Sequence, residues 1–131
     1  MAYKLWEGSW EDDALRRDTA NGIHADPAKI HKIDHRGKRY QVEGPHLPAP
    51  SPQRTPVLAQ AGSSTAGRDF AALHAEAQFI IAPHPAAARS QIQDVRARAV
   101  AYGRKAEDIK FLQGLSFAVG STEEEARRKD R

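Results

Sequence analysis

Pro56-Val57-Leu58-Ala59-Gln60-Ala61-Gly62-Ser63-Ser64-Thr65-Ala66-Gly67-Arg68-Asp69-Phe70-Ala71-Ala72 passes from an apolar run through glycine and paired hydroxyls straight into a helical pattern. Val57 and Leu58 read as a short buried strand, and Gly62 permits the sharp turn that follows. Ser63 or Ser64 can cap a helix whose Ala66, Phe70, Leu73 and Ala77 repeat at helical spacing. The unpaired amides and positive dipole end of such a helix start favour an anion. On spacing alone, a plain helix cap accounts for the same residues.

Outward from this stretch the alternation continues. Phe79-Ile80-Ile81 reads as a second buried strand, and Ala88, Ile92, Val95, Ala99 and Tyr102 mark a second amphipathic helix closed by Gly103. Ile109 to Val119 supplies a third strand region, and Ser121 with Glu124 opens another helix in a capping-box pattern. Strand and helix in strict alternation predict an α/β fold, with a parallel sheet covered by helices. Upstream, Gly44 to Pro56 is dense in proline and reads as a stiff extended connector. Ile30 to Val42 predicts a hairpin, with Ile33 and His35 on one arm, Tyr40 and Val42 on the other, and Arg36-Gly37 at the turn. Leu5, Trp6 and Trp10 are expected to pack, and Gly8-Ser9 to end a first helix.

Length sets a bound on the architecture. A (β/α)8 barrel needs about 250 residues, so a chain of 131 is expected to hold only part of one. Ala2 to Trp6 reads as the end of a helix already under way, and the helix opening at Ser121 lies close to the last residue, so neither end reads as a domain boundary. The net charge is +3, with acids and bases interleaved, which does not predict a nucleic-acid partner. Without cysteine there is no disulfide framework and no thiolate metal site. No run approaches the ~20 apolar residues of a membrane span, and the start lacks the apolar core of a signal peptide, so a cytoplasmic protein with no membrane partner is the default expectation.

Other chemistry-bearing residues have simpler readings. His31 and His35 stand four apart, with Asp34 between and His24 nearby, but on extended strands that spacing is about 13 Å, too far for one ion. No metal site is expected. His74 reads as a packing or hydrogen-bonding histidine, Arg68 as a helix-surface cation, and His84 follows a strand end without an assigned role. Glu11, Asp12 and Asp13, like Glu123 to Glu125, are explained by solvation and placement near helix starts. No nucleophile elbow, Walker loop or Rossmann glycine fingerprint is present.

The order of several strings adds a resemblance. These are Tyr3-Lys4-Leu5-Trp6-Glu7-Gly8-Ser9-Trp10-Glu11, Asp26-Pro27 with His31, Ile33, Asp34, His35 and Gly37, Gly44-Pro45, Ser51-Pro52-Gln53, and Gln60-Ala61-Gly62-Ser63-Ser64 with Gly67, Arg68 and His74-Ala75-Glu76. Together they resemble the nitrilotriacetate, dibenzothiophene-sulfone and long-chain alkane monooxygenase branch of the bacterial luciferase-like FMN-dependent monooxygenases, over nearly the whole chain.

The resemblance implies a fragment of a TIM-type (β/α)8 barrel. It would hold about three βα units from the middle to later part of one domain spanning residues 1–131, with residues 20–56 as a hairpin-containing insertion and connector. It implies a two-component system in which a separate flavin reductase supplies reduced FMN by diffusion, and one atom of dioxygen enters a small organic substrate. Ser63, Ser64 and Gly67 match the loop that holds the FMN phosphate, with Ser64 offering a hydroxyl contact and the amide near Gly67 assisting. The family's catalytic groups fall in strands this chain is expected to lack, so no catalytic residue is assigned. Either little monooxygenase activity or an inert half-barrel that at most binds FMN or phosphate is then expected of the polypeptide alone. The full-length family implies a homo-oligomer.

Overall fold

The computed structural model describes residues 1–129, which fall in two compact units divided between Pro56 and Val57. The first unit opens with α1 (Ala2–Gly8), which ends at the expected Gly8-Ser9. Its centre is Trp10, with Ser9 and Ala14 fully buried beside it in the chain. The Trp10 indole Nε1 donates to the His46 carbonyl at 2.7 Å, and the His46 amide donates to Ser9 Oγ at 2.9 Å. Arg54, at φ +61°, donates Nη1 to the Trp10 carbonyl at 2.8 Å and pairs with Asp12. These bonds fasten the proline-rich connector to the tryptophan, whose indole has both the apolar body to bury and a donor that needs a partner.

Two small antiparallel hairpins complete this unit. The first joins β1 (Leu15–Asp18) to β2 (Ile23–Ala25), with an irregular register between Leu15 and Asp18. Sequence reading misses it, because Leu15-Arg16-Arg17-Asp18 carries no apolar alternation. The second joins β3 (His35–Arg36) to β4 (Gln41–Val42). It lies within the expected hairpin but is shorter, and its turn spans Gly37 to Tyr40, closed by the Gly37 amide on the Tyr40 carbonyl at 2.9 Å. Arg36 therefore belongs to a strand and not to the turn.

The second unit is a three-stranded parallel sheet in the order β5 (Ala59–Gln60), β6 (Ala77–Ile80), β7 (Lys110–Gln113). The helix α2 (Thr65–His74) connects β5 to β6, and α3 (Pro85–Ala101) connects β6 to β7. A short α4 (Glu123–Lys129) follows. The α/β alternation is as expected, with shifted boundaries. The first strand begins two residues later than Val57, which is 60% exposed. The third is confined to Lys110–Gln113. The last helix is capped by Thr122, whose Oγ1 accepts from the Glu125 amide at 3.2 Å, one position beyond the predicted Ser121 and Glu124.

The core lies on one face of the sheet. Ala71, Ala72 and Ala75 pack with Val95, Ala99 and Ile109, and Phe111 lies against them. The buried side of α2 is thus Gly67, Ala71 and Ala72, whereas Phe70 and Leu73, expected inside, are 49% and 46% exposed. Ala77 lies in β6, outside the helix. Small residues let α2 approach α3 closely, a gain that larger side chains would prevent. Beyond the helix end, Arg104 donates to the carbonyls of Ala72 and Ala75, each at 2.9 Å, and Ala71 at 3.4 Å, satisfying the terminal acceptors of α2. Gly103, at φ +79°, makes the turn that brings Arg104 there.

Strand alternation assigns Gln78 and Ile80 to the helix-covered face, since Gln78 is paired with Phe111 in register. Phe79 and its partner Leu112 face the other side and are 42% and 57% exposed, with Ile81 77% exposed beyond them. Of the expected buried run, only Ile80 is inside.

Candidate functional site

All three strands are parallel, so the segments leaving β5, β6 and β7 emerge at one carboxyl-end rim. There the predicted loop runs from Ala61 into α2. Ser64 is the N-cap, at φ −63° and ψ 162°, and its Oγ accepts from the Gly67 amide at 3.1 Å. The amide near Gly67, expected to assist an anion, is therefore engaged by the chain's own hydroxyl. Gly67 contributes through its lack of a side chain: a Cβ there would stand 2.8 Å from the Gly62 carbonyl oxygen and 2.9 Å from its carbon. Helix and loop touch backbone to backbone, a contact only glycine at position 67 allows.

Two further bonds tie the loop from behind. The Gln78 side chain, fully buried on β6, donates Nε2 to the Gly62 carbonyl at 3.1 Å. Arg68 donates Nε to the Ser63 carbonyl at 2.8 Å, while its Nη1 pairs with Asp94 at 3.0 Å. Arg68 is thus a brace neutralised by a carboxylate and not a free cation on a helix surface. Asp94 also accepts from Arg98 Nε at 2.9 Å, and Arg98 reaches Asp69 at 2.6 Å. Arg98 first and Arg68 second hold the Asp94 carboxyl below the usual carboxylate range.

No hydrogen bond occupies the amides of Ser63, Ser64, Thr65 or Ala66 among the described residues. These donors sit at the positive end of α2, beside the exposed side chains of Ser63 and Ser64. The Ser64 hydroxyl accepts from Gly67 and keeps its own proton free to donate outward. A run of amides and hydroxyls without a carboxylate in its bonds suits a phosphoryl group.

The other candidates separate from this site. His84, at the end of β6, is the N-cap of α3, with Nδ1 accepting from the Ala87 amide at 3.2 Å; its position just before Pro85 was the available sequence signal. His74 lies at the last turn of α2 beside Phe70, with ring centroids 5.0 Å apart. His31 pairs with Glu11 at 2.8 Å, and His35 stands on β3. Among the described residues no three His, Asp or Glu side chains converge as a metal site would require, and no helix is long and apolar enough to cross a membrane.

The model of the luciferase-like monooxygenase family matches residues 3–130. The long-chain alkane monooxygenase of Geobacillus thermodenitrificans strain NG80-2 is 50% identical over 129 residues, 98% of this chain and 29% of the relative. The dimethyl-sulfide monooxygenase of Hyphomicrobium sulfonivorans is 48% identical over 129 residues, 98% of this chain and 27% of the relative. A crystal structure of a riboflavin lyase with modified FMN and riboflavin superposes with a TM-score of 0.78 at 47% identity, covering 97% of this chain and 28% of that one. The chain spans less than a third of the length of each.

Proposed function

Because this chain belongs to the luciferase-like monooxygenase family, we propose that its loop from Gly62 to Gly67 holds the phosphate of flavin mononucleotide for a flavin-dependent monooxygenase. The observation that carries this reading is the run of unoccupied amides from Ser63 to Ala66, at a helix start on the carboxyl-end rim of a parallel sheet. The Ser63 and Ser64 hydroxyls add donors, and Gly67 keeps the loop close enough to the helix for amides and hydroxyls to converge. Bound reduced flavin would supply the oxygen chemistry, delivering one atom of dioxygen to a small organic compound. The chain's own residues grip, orient and electrostatically satisfy the phosphoryl end, in the cytoplasm, with the reduced flavin arriving from a separate reductase.

In this reading residues 1–131 form one partial domain and the sheet is a segment of a (β/α)8 barrel, about three βα units long. The exposed Phe79 and Leu112 then line the interior of the closed sheet. The limit of the first compact unit at Pro56 supports the end of the 20–56 insertion, whereas its start at residue 20 falls inside that unit, between β1 and β2. The same open apolar face favours a second reading, in which the isolated polypeptide binds FMN but turns over little substrate, because the flavin ring has no complete pocket.

Titrating FMN and riboflavin against the chain while following flavin fluorescence tests the phosphate seat. FMN should bind and riboflavin, which lacks the phosphate, should bind at least tenfold more weakly. S63A and S64A together should weaken that preference without abolishing it, because the amides remain. Equal affinity for the two flavins would overturn the assignment. Turnover with reduced FMN, dioxygen and small organic substrates, at the rate of a full-length relative, would eliminate the second reading.

A further inference from the structure

Gln78 is a polar side chain at a position where strand alternation calls for an apolar one. It is fully buried, on the sheet face that packs against the alanine, valine and isoleucine core, next to Ile80 on the same strand face. Its Oε1 has no hydrogen-bond partner, and the Nε2 of Gln91 on α3, also buried, has none. An unsatisfied buried acceptor is destabilising, so an apolar residue of similar volume would suit the packing better. What Gln78 does accomplish is one bond, from Nε2 to the Gly62 carbonyl.

That bond has a geometric consequence. A trans peptide is planar, with its N–H directed opposite to its C=O. Drawing the Gly62 carbonyl toward the sheet therefore turns the Ser63 N–H away from it, toward the open rim. Arg68 does the same one peptide later: its bond to the Ser63 carbonyl turns the Ser64 N–H outward. Thr65 and Ala66 need no such help, because the helix itself fixes their amides. Backbone contact with Gly67 limits how far the loop can relax.

We infer that Gln78 is a positioning residue for the phosphate seat, holding the Gly62-Ser63 peptide so that the Ser63 amide donates to the anion. The inference rests on the flavin-phosphate reading of this loop. It assigns to Gln78 no contact with the ligand. Its effect passes through one peptide plane, and so it predicts an effect confined to one donor.

The decisive variant is Q78M, which keeps the unbranched shape and removes both the donor and the unpartnered acceptor. The full chain is studied by amide spectra while inorganic phosphate, then FMN, is added. In the unsubstituted chain, the amides of Ser63, Thr65 and Ala66 should shift together and saturate. In Q78M, Thr65 and Ala66 should still respond while Ser63 does not, FMN affinity should fall about tenfold, and the thermal midpoint should hold or rise. An intact Ser63 response in Q78M overturns the inference. So does loss of all three responses together with a lower thermal midpoint, which would make Gln78 a general structural residue. If phosphate and FMN shift nothing even in the unsubstituted chain, the flavin reading fails by itself. The Gln78 inference is then decided without ligand: slowed exchange of its side-chain NH2, with a displaced Ser63 amide signal in Q78M, supports it, and free exchange with an unmoved signal overturns it.

Discussion

Replacing Gly67 by alanine separates steric logic from helix propensity, because the two push in opposite directions. Alanine is about 1 kcal/mol better than glycine inside a helix, so propensity predicts stabilisation. The added Cβ, however, would lie 2.8, 2.9 and 3.0 Å from the carbonyl oxygen, carbonyl carbon and Cα of Gly62. All three are backbone atoms, so relief requires moving the loop. Overpacking of this kind costs about 1–3 kcal/mol, and displacement of Gly62 also strains its bond from Gln78, adding about 1 kcal/mol. The net expectation is a loss of about 1–3 kcal/mol, and each kcal/mol lowers the thermal midpoint of a small domain by roughly 4–8 °C. Gly8→Ala is the control, since a Cβ at that position would meet nothing within 4 Å and the residue sits at the end of α1. Thermal melts of G67A and G8A, paired with FMN titration, measure both effects. A rise in midpoint for G67A, with FMN affinity unchanged, would refute the close-contact argument.

Further outcomes follow from the same bonds. Ser64→Ala removes the cap on Gly67 and should cost about 1 kcal/mol in chemical denaturation. Ser64→Asp should keep that stability, since a carboxylate also caps, yet weaken FMN binding by repelling the phosphate. Arg104→Ala leaves the carbonyls of Ala71, Ala72 and Ala75 without their guanidinium and should cost about 2 kcal/mol, with Arg104→Lys recovering only part. The Asp94 carboxyl is held below its ordinary range by Arg98 and Arg68. Its folded value is thus lower than its unfolded one, so its contribution is present above the unfolded value and disappears as pH falls through the folded value. Melts on the acid side should show that limb, and D94N should make it shallower without abolishing it, because Asp13, Asp18, Glu43 and Glu125 are held low as well.

The βαβαβ order, a cap at Ser63 or Ser64 and the Gly103 stop are all local signals, and the chain obeys them, with Ser64 as the cap. Ser64 is legible because a hydroxyl before a helical run has one favourable use, and Gly103 because a left-handed turn excludes most other residues. The identity of the buried faces is less legible. Phe70, Leu73, Phe79 and Leu112 look like core by hydropathy, yet the layer between helices and sheet is filled by alanines, Val95 and Ile109. Periodicity tells which residues share a face; it does not tell which of two apolar faces a helix covers. At the candidate site, the hydroxyls and glycines can be read from the string alone. Gln78 and Arg68 cannot, because their roles depend on a neighbouring strand and a helical turn bringing them to two particular carbonyls.

The touching backbones of Gly62 and Gly67 also set how this loop tolerates change. A side chain at Gly62 would first meet the Nε2 end of Gln60 at 2.9 Å, which can swing aside, and then the Gly67 Cα at 3.3 Å. Position 67 offers no such escape. A combinatorial library randomised at both codons should return glycine at 67 almost without exception, while 62 admits alanine or serine only in members that retain that glycine, a one-sided epistasis written by a single van der Waals contact.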